Sequence, residues 1–260
     1  MTAKTYSVSA LSHEIPTELQ RLRLLEEYLE PVTTAALERT GVESHWRCLD
    51  VGAGAGAVAR WLAGRCVDGH VIAADIDTRF LTPERNLEVC EFDARTGEFA
   101  PQSFELIHTR ALLMHLPERA GLVARCLSWL APGGWLVATD PSGFTASSSP
   151  YPHWRVLMNA FWELMAAHGG DPLWGRQGLA RTVAEAGFAD VGMSIDATIV
   201  GAGGPADSFW RLFFAQVGPH MVELGLLAAE DLAAGVALLD EPTFFDSPDA
   251  FVTVWGRRPL

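Results

Sequence analysis

Three glycines alternate with alanines directly after an aspartate in the stretch Asp50-Val51-Gly52-Ala53-Gly54-Ala55-Gly56. The apolar residues from Trp46 to Val51 predict a strand before this stretch, and Ala57–Arg65 has the pattern of a helix start. Glycine removes the side chain where a backbone bends sharply and lets a ligand approach the backbone N–H groups. A turn of this kind between a strand and a helix predicts a binding site for an adenosine-containing cofactor.

Two types of adenosine-containing cofactor are compatible with this turn. A dinucleotide site usually has the spacing G-x-G-x-x-G, with an acidic residue about 20 residues further on that binds the ribose. Here the third glycine, Gly56, comes one residue too early, and Asp50 lies within the strand. Asp75 follows Gly56 by 19 residues and would bind ribose hydroxyls in either case. The glycine-rich turn alone leaves both interpretations open.

A third acidic residue, Asp93, follows the run Val89–Phe92, which belongs to another predicted strand. Its carboxylate could accept a hydrogen bond from the exocyclic amine of adenine. Each acid also has a purely structural alternative. Asp50 could cap the helix or accept from loop amides, Asp75 could be a solvated strand-end residue, and Asp93 could serve a turn. Their positions at three successive strand ends favour one shared ligand.

Strand and helix patterns alternate through the first part of the chain. The predicted strands are Arg47–Val51, His70–Ala74, Leu87–Phe92, Phe104–His108 and Trp135–Thr139. The predicted helices are Leu19–Glu38 with a kink or break at Pro31, Ala57–Arg65, a short one at Thr78–Leu81, and Glu118–Leu130, which Pro132–Gly134 ends. This alternation predicts a parallel sheet with helices on both faces. Ligands of such sheets bind beyond the carboxyl ends of the strands.

After Asp140 the pattern becomes mainly helical. The later elements are helical blocks at Trp154–His168 and Asp207–Leu239, a helix at Leu179–Ala186, a turn and strand at Gly187–Val191, and a last strand at Phe251–Gly256. We expect three parts within a single compact unit. They are an N-terminal helical lid (1–42), a cofactor-binding core (43–141), and the remainder of the sheet with helical cap insertions (142–260).

The ordered set of these features resembles the class I S-adenosylmethionine-dependent methyltransferases. The set consists of D-x-G-x-G-x-G at 50–56, Asp75, Asp93, F-E-L-I-H at 104–108 and L-A-P-G-G at 130–134. The resemblance is strong over residues 45–140 and looser over Gly178–Val191 and Phe251–Gly256. It implies an α/β, Rossmann-like fold with a seven-stranded, mostly parallel sheet, an antiparallel last strand, helices on both faces and helical substrate-cap insertions.

The resemblance also implies S-adenosyl-L-methionine as the cofactor and S-adenosyl-L-homocysteine as its product. Carried onto this sequence, it assigns the methionine end of the cofactor to Asp50, Gly52, Gly54 and Gly56. It assigns the ribose to Asp75, the adenine to Ile76, Asp93 and Ala94, and the methionine ammonium to the Thr109 carbonyl, with Arg110 adjacent.

Methyl transfer from a sulfonium is a direct in-line displacement, so the protein mainly positions the reactants and excludes water. A general base matters only when the acceptor must lose a proton early, as phenols and alcohols do. The candidates for such a base are His115, His153 and Asp140. His108 lies within a predicted strand, and we expect it to be buried and hydrogen-bonded. The spacing of the histidines fits no metal site, and the sequence suggests no catalytic triad.

Aromatic residues are concentrated in the segments after residue 150 that interrupt the common fold. At helical spacing they include Trp154, Phe161, Trp162, Phe209, Trp210, Phe213 and Phe214. These side chains could line a pocket for a hydrophobic molecule or form the core between the inserted helices and the sheet. We expect a hydrophobic, aromatic small molecule of secondary metabolism as the acceptor, with O-methylation slightly favoured over N- or C-methylation.

Composition limits the partners. The 260 residues carry a net charge of −13 without a cluster of Lys and Arg, so no nucleic-acid partner is expected. No stretch approaches the roughly 20 apolar residues of a membrane span, and the first 16 residues lack an apolar signal region. The four cysteines are scattered without a C-x-x-C pair. We expect a cytoplasmic monomer or homodimer with no membrane partner.

Two other functions remain open at this point. A non-catalytic protein with a methyltransferase fold would bind the cofactor without transferring its methyl group. A nicotinamide-dependent dehydrogenase would need a second nucleotide-binding half and a proton relay, which the sequence does not suggest. In the predicted lid, Tyr6 or Arg21 could contact the substrate or the methionine carboxylate by analogy with the family.

Overall fold

The computed structural model describes residues 14–201 and 203–260, so Tyr6 lies outside the described residues. The strands are β1 (Arg47–Val51), β2 (His70–Asp75), β3 (Leu87–Glu91), β4 (Phe104–Arg110), β5 (Leu130–Ser142), β6 (Ala189–Ala197) and β7 (Ala250–Arg257). The α-helices are α1 (Glu18–Glu38), α2 (Ala57–Arg65), α3 (Arg119–Trp129), α4 (Pro152–Ala167), α5 (Ala180–Glu185), α6 (Pro205–Glu223) and α7 (Ala229–Ala237). Short 3₁₀ helices cover Leu113–His115, Gly143–Ser148 and Leu238–Asp240, and a π-helical turn covers Gly175–Leu179.

The strands form a seven-stranded sheet in the order β3-β2-β1-β4-β5-β7-β6. β1 pairs in parallel with β2 and with β4, β2 with β3, and β4 with β5. The sheet is mostly parallel, with antiparallel pairing at the last strands, which confirms the predicted Rossmann-like fold. The strand order reverses beside β1, which has β2 on one side and β4 on the other. Ligand crevices form at such a point, beyond the carboxyl ends of the strands.

The glycine-rich turn is flanked by the two elements that the sequence predicts. Val58 and Leu62 are one turn apart on α2 and pack into a buried cluster with Cys48 of β1, Val71 of β2 and Leu106 of β4. Apolar residues at this spacing give the helix one face that the sheet can bury. Burial of this face sets α2 against the sheet directly after the turn.

One predicted helix is wrong. Residues Thr78–Leu81 form a turn rather than a helix, because the Asp77 carboxylate accepts a hydrogen bond from the backbone N–H of Arg79 at 3.2 Å. Such local bonds compete with helix formation. The predicted helix-rich block Asp207–Leu239 is confirmed and consists of two helices, separated near Gly225, whose φ of 70° is left-handed.

Of the predicted proline effects, the break at Pro31 and the helix end at Pro132–Gly134 are wrong. α1 continues past Pro31 to Glu38, and Ala36 and Leu37 beyond the proline are buried, so tertiary packing favours continuation. Pro132–Gly134 does not end α3, which stops at Trp129, directly before β5. Residues 131–134 instead form a bulge between two pairs of the β4–β5 ladder. Gly133 has the positive φ, 78°, that a bulge favours.

The described residues divide into two compact units. We call the first the helical unit; it consists of the described residues up to Leu29, Pro141–Leu173 and Ile195–Phe251. We call the second the sheet unit; it consists of Glu30–Asp140, Trp174–Ser194 and Val252–Leu260. In neither unit do the described residues include a helix of the length and apolar character needed to cross a lipid bilayer.

Candidate functional site

The glycine-rich turn after β1 has a backbone that residues with side chains rarely adopt. Gly52, Gly54 and Gly56 have φ angles of 75°, 58° and 86°. A Cβ atom on Gly52 would lie only 3.1 Å from Leu112 Cδ2. The N–H of Gly52 donates to the carbonyl of Ala74 at 2.8 Å, which attaches the turn to β2. Gly56 is the N-cap of α2, so the turn places bare backbone beside a helix N-terminus, which attracts anionic groups.

Asp75, at the end of β2, holds the same turn. Its Oδ2 accepts a hydrogen bond from the N–H of Gly54 at 2.9 Å, and its Oδ1 accepts from the N–H of Asp77 at 3.2 Å. The carboxylate is half-buried and is held beside the turn instead of being a solvated strand end. A carboxylate has about four acceptor positions, enough for these bonds and for ribose hydroxyls.

Asp50 lies inside the sheet rather than at its surface. Nδ1 of His108 on β4 donates to Asp50 Oδ1 at 2.7 Å. Asp50 is 2% exposed and His108 is 1% exposed. The expectation that His108 is buried and hydrogen-bonded is confirmed. Sequence reasoning did not find that its partner is Asp50.

Asp93, directly after β3, forms an ion pair with Arg95. Its Oδ1 accepts from the backbone N–H of Arg95 at 3.0 Å and from Nε at 2.8 Å, and Arg95 Nη2 contacts its Oδ2. The bond to the backbone is an Asx turn, so the structural alternative for Asp93 is present. The Arg95 side chain also holds the pKa of Asp93 below its ordinary value. Asp93 is therefore an ionised acceptor next to Ala94, the other residue expected at the adenine edge.

The end of β4 carries the remaining predicted cofactor residues, Thr109 and Arg110. Thr109 is buried, and Arg110 Nη1 donates to Thr33 Oγ1 at 3.0 Å. Ala111 then turns the chain with a φ of 51°, which is unusual for a residue other than glycine. Ile76 is half-buried after Asp75 at the end of β2.

Two buried polar atoms on β4 have no hydrogen-bond partner within the described part of the chain. They are His108 Nε2 and Thr109 Oγ1. Buried polar atoms are normally hydrogen-bonded, so unpaired ones near the carboxyl end of a strand indicate a missing partner such as a ligand or a water molecule. Together with the bare glycine backbone and the strand-end carboxylates, they fit a ligand that has hydroxyl, amine and ammonium groups.

Asp140, one of the predicted base candidates, lies near the end of β5 and is 1% exposed. Trp174 Nε1 donates to its Oδ2 at 3.0 Å. Burial raises the pKa of Asp140 to about 7, although the N–H groups of Met114 and Leu112 and the charge of Arg119 oppose the rise. The guanidinium of Arg119 lies 4.4 Å from the centroid of the Trp174 ring. Sequence reasoning missed Trp174 and Arg119, because their contacts with this site depend on tertiary structure.

The two histidine candidates lie in different environments. His115 ends the 3₁₀ helix Leu113–His115 after β4 and is half-buried. His153 lies in the first turn of α4, with a side chain that is 57% exposed and an Nδ1 that is 3.2 Å from Asp231 Oδ1. His153 therefore belongs to a surface ion pair of the helical unit and has no enclosed setting for proton transfer.

The aromatic residues considered for an acceptor pocket pack against one another inside the helical unit. The ring centroid of Trp154 lies 6.5 Å from that of Trp210 and 6.0 Å from that of Phe214. The rings of Phe161 and Phe213 are 5.1 Å apart. All five side chains are buried. The structure thus agrees with the core-packing alternative for these residues.

Arg21, considered as a contact for substrate, is also engaged within the helical unit. It donates to the Glu18 carboxylate through Nε at 2.8 Å and Nη2 at 2.6 Å, and both residues are buried. Its guanidinium lies 6.0 Å from the ring centroids of Phe209 and Phe213. Arg21 therefore has a packing role that needs no ligand.

Comparison with known proteins identifies the family. Residues 13–192 match a family model described as a methyltransferase domain. The match covers more than half of the 260 residues, so the chain belongs to this family of methyltransferase domains. The predicted membership of the class I S-adenosylmethionine-dependent methyltransferases is confirmed.

Curated relatives match part of the chain. Methyltransferase str2 of Strobilurus tenacellus is 33% identical over 138 residues, which are 50% of this chain and 49% of that protein. Trans-aconitate 2-methyltransferase of Mycobacterium tuberculosis (strain ATCC 25177 / H37Ra) is 29% identical over 114 residues, 43% of each chain. The chain spans about half the length of the curated relatives it matches.

A solved structure matches the whole chain. Phosphoethanolamine N-methyltransferase 2 of Haemonchus contortus was solved with phosphomonomethylethanolamine and S-adenosylhomocysteine. The TM-score is 0.66 at 17% sequence identity, and the match covers 100% of this chain and 61% of that one. Likeness at this identity supports the fold.

Proposed function

We propose that this chain transfers a methyl group from S-adenosyl-L-methionine to a small molecule. One observation carries the proposal: acidic residues lie at or near the carboxyl ends of three neighbouring strands, Asp50 in β1, Asp75 in β2 and Asp93 after β3, and Asp75 binds a turn with three left-handed glycines. Family membership supports the same cofactor, and the similar solved structure holds its product. When bound, the cofactor would supply a methyl group made electrophilic by the sulfonium charge.

The nucleoside end of the cofactor is assigned to the ends of β2 and β3. Asp75 accepts hydrogen bonds from the ribose hydroxyls while it holds the turn through Gly54. Ile76 packs on the adenine ring. Asp93, kept ionised by its arginine neighbour, accepts from the exocyclic amine of adenine, and the backbone of Ala94 completes this edge.

The methionine end of the cofactor is assigned to the carboxyl ends of β1 and β4, where the strand order reverses. The bare backbone of Gly52, Gly54 and Gly56 lets this part of the cofactor approach closely. The Thr109 carbonyl and the Asp50 carboxylate receive the ammonium group. Fixed contacts at both ends of the cofactor would hold the sulfonium methyl in line with the acceptor, which is the main contribution a protein makes to this reaction.

We further propose an oxygen acceptor on a hydrophobic small molecule, with Asp140 as the general base. The names of the relatives cover both an acid and an amine acceptor, so they do not decide between acceptor atoms. A carboxylate or a neutral amine needs no base, whereas a hydroxyl does. The pKa of Asp140, raised by burial to about 7, suits proton removal near neutral pH and supports a hydroxyl acceptor. The hydrophobic character of the acceptor follows only from the aromatic residues in the sequence after residue 150.

Calorimetry and a transfer assay test this proposal. Titration of the purified chain with S-adenosylhomocysteine should show binding, and titration with NAD should not. Transfer of labelled methyl from S-adenosylmethionine should occur to phenols or alcohols in a panel that also contains amines and carboxylates. Transfer only to amines or carboxylates would contradict the oxygen acceptor and the base. Binding without transfer to any member would support a non-catalytic protein.

A further inference from the structure

A buried acid–imidazole pair connects β1 to β4. Asp50 and His108 face each other in the strand register, with 2.7 Å between Asp50 Oδ1 and His108 Nδ1. In the strand register, Asp50 also pairs with Ala73 on β2, and His108 pairs with Val137 on β5. Ala73 and Val137 are both buried, and the four residues form one row across the sheet. The pair is thus the polar centre of an otherwise apolar row across four strands. It lies where the strand order reverses.

Packing does not account for this pair. Taking a carboxylate out of water is costly, and a buried ion pair often stabilises a fold no better than apolar residues of similar volume. Apolar side chains like those of Ala73 and Val137 would complete the row without that cost. The pair also leaves His108 Nε2 buried with no hydrogen-bond partner within the described residues. A role outside the sheet would explain why polar groups occupy this position.

The position of the pair indicates that role. Asp50 precedes Gly52 of the turn by two residues, and His108 directly precedes Thr109, so each member of the pair is next in the chain to a segment assigned to the methionine end. We propose, on the basis of the function proposed above, that His108 positions the Asp50 carboxylate to receive the methionine ammonium of the cofactor. The hydrogen bond from His108 Nδ1 to Asp50 Oδ1 holds one oxygen of the carboxylate in place. His108 acts through Asp50 and is a positioning residue.

Three substitutions separate positioning from packing. His108→Asn keeps a nitrogen donor on Cγ, the same number of bonds from the backbone as Nδ1. His108→Gln moves the donor one bond further away, and His108→Leu removes it while filling similar space. A positioning role predicts that the affinity for S-adenosylhomocysteine depends on where the hydrogen-bond donor lies. A packing role predicts that this affinity depends on the volume of the side chain at position 108.

Calorimetry with two ligands provides the test. One ligand is S-adenosylhomocysteine, and the other is 5′-methylthioadenosine, which has the same nucleoside and sulfur but lacks the amino-acid end. His108→Leu and His108→Gln should weaken S-adenosylhomocysteine binding at least tenfold and leave 5′-methylthioadenosine binding within twofold of wild type. His108→Asn should bind both ligands within about threefold of wild type. Thermal unfolding identifies any variant that fails to fold; if His108→Leu fails, His108→Gln serves alone as the variant without a donor at the position of Nδ1.

The possible outcomes are distinct. Equal losses for both ligands, or full S-adenosylhomocysteine affinity in His108→Leu and His108→Gln, would overturn the positioning role while leaving the proposed function intact. Weak binding by His108→Asn together with tight binding by His108→Leu would overturn it as well. A wild-type chain that binds neither ligand would contradict the proposed function, and with it this inference.

Discussion

Asp93 in the sheet unit and Asp249 in the helical unit have different kinds of hydrogen-bond partner. In the sheet unit, Asp93 lies beside the Arg95 guanidinium, whose hydrogen bonds hold the pKa of Asp93 below its ordinary value. In the helical unit, Asp249 is enclosed, and its partners are neutral hydroxyls of Tyr28 at 3.1 Å and of Thr198. Burial raises the pKa of Asp249 to about 6. A cationic partner thus keeps one acid charged, whereas enclosure favours the neutral form of the other.

This difference separates acids that can serve a ligand from acids that serve packing. A partly exposed, ionised carboxylate can add a ligand to its partners, whereas an enclosed one that accepts from its own hydroxyls has no such access. Asp140 is enclosed like Asp249, but its Oδ1 has no hydrogen-bond partner among the described residues and so can still accept a proton. Substitutions in the sheet unit should therefore change binding or catalysis, and substitutions in the helical unit should change stability alone.

Asp140→Asn should have the largest effect. Loss of a general base typically lowers a rate about 10²–10⁴-fold, and the neutral amide cannot accept the proton. The wild-type kcat should rise as the pH increases through about 7, because the base is active only when ionised. The variant should lack this rise and bind S-adenosylhomocysteine as wild type does. Steady-state rates between pH 5.5 and about 9 measure both effects, and an unchanged kcat would remove Asp140 from the reaction.

Asp75→Ala should weaken S-adenosylhomocysteine binding at least tenfold. Hydrogen bonds to a charged group are worth about 1.5–3 kcal/mol each, and the variant loses the bonds to the ribose together with the bond that holds Gly54. Asp231→Ala is the matched control, since Asp231 is an acid of the helical unit that pairs with His153. Calorimetry on both variants tests the comparison. Similar losses in both would show that ligand binding does not distinguish the two units.

A pair of glycine substitutions should have a smaller effect on binding. Gly52 in the sheet unit and Gly169 in the helical unit have φ angles of 75° and 83°. Alanine at either position carries the strain of a left-handed backbone, about 1 kcal/mol of stability. Only Gly52→Ala also crowds Leu112, at 3.1 Å, so only this variant should weaken S-adenosylhomocysteine binding, by a few-fold. Unfolding curves and calorimetry measure the two effects, and a loss of affinity in Gly169→Ala would count against the division between units.

Local spacing was sufficient to predict the glycine-rich turn between β1 and α2 of the sheet unit. The glycine pattern is informative because three left-handed positions in five residues leave little choice of residue type. The partners of the buried acids were not predictable in this way. His108 is 58 positions from Asp50, and Trp174 is 34 positions from Asp140, so strand register and tertiary packing bring each pair together.

The helical unit was harder to interpret for a different reason. Trp154 and Phe161 recur at helical spacing whether they line a pocket or fill a core, so the pattern alone does not distinguish the two. Only their ring contacts place them in the interior. The short helix predicted at Thr78–Leu81 failed because a single side-chain bond from Asp77 favours a turn. Apolar patterns therefore predicted elements well, but side-chain partners decided what those elements do.

Asp249→Asn should change stability and leave ligand binding unaltered. The folded chain raises the pKa of Asp249 from 3.8 to about 6, so the protonated side chain favours the folded state. That contribution is fully present below pH about 4 and is lost as the pH rises through about 6. Asparagine keeps an acceptor for Tyr28 and Thr198 without a charge, so the variant should lack this loss and be more stable than wild type at pH 8, by up to about 3 kcal/mol.

Asp240→Asn provides the control for this last prediction. Asp240 is an exposed acid of the helical unit that pairs with Arg211 at 3.0 Å, so its substitution should not remove the decline in stability between pH 4 and about 6. Urea unfolding across this pH range compares the variants. A lower stability of Asp249→Asn at pH 8 would mean that the ionised carboxylate strengthens the helical unit. Enclosure by neutral hydroxyls would then not distinguish an acidic residue that serves packing from one that binds a ligand.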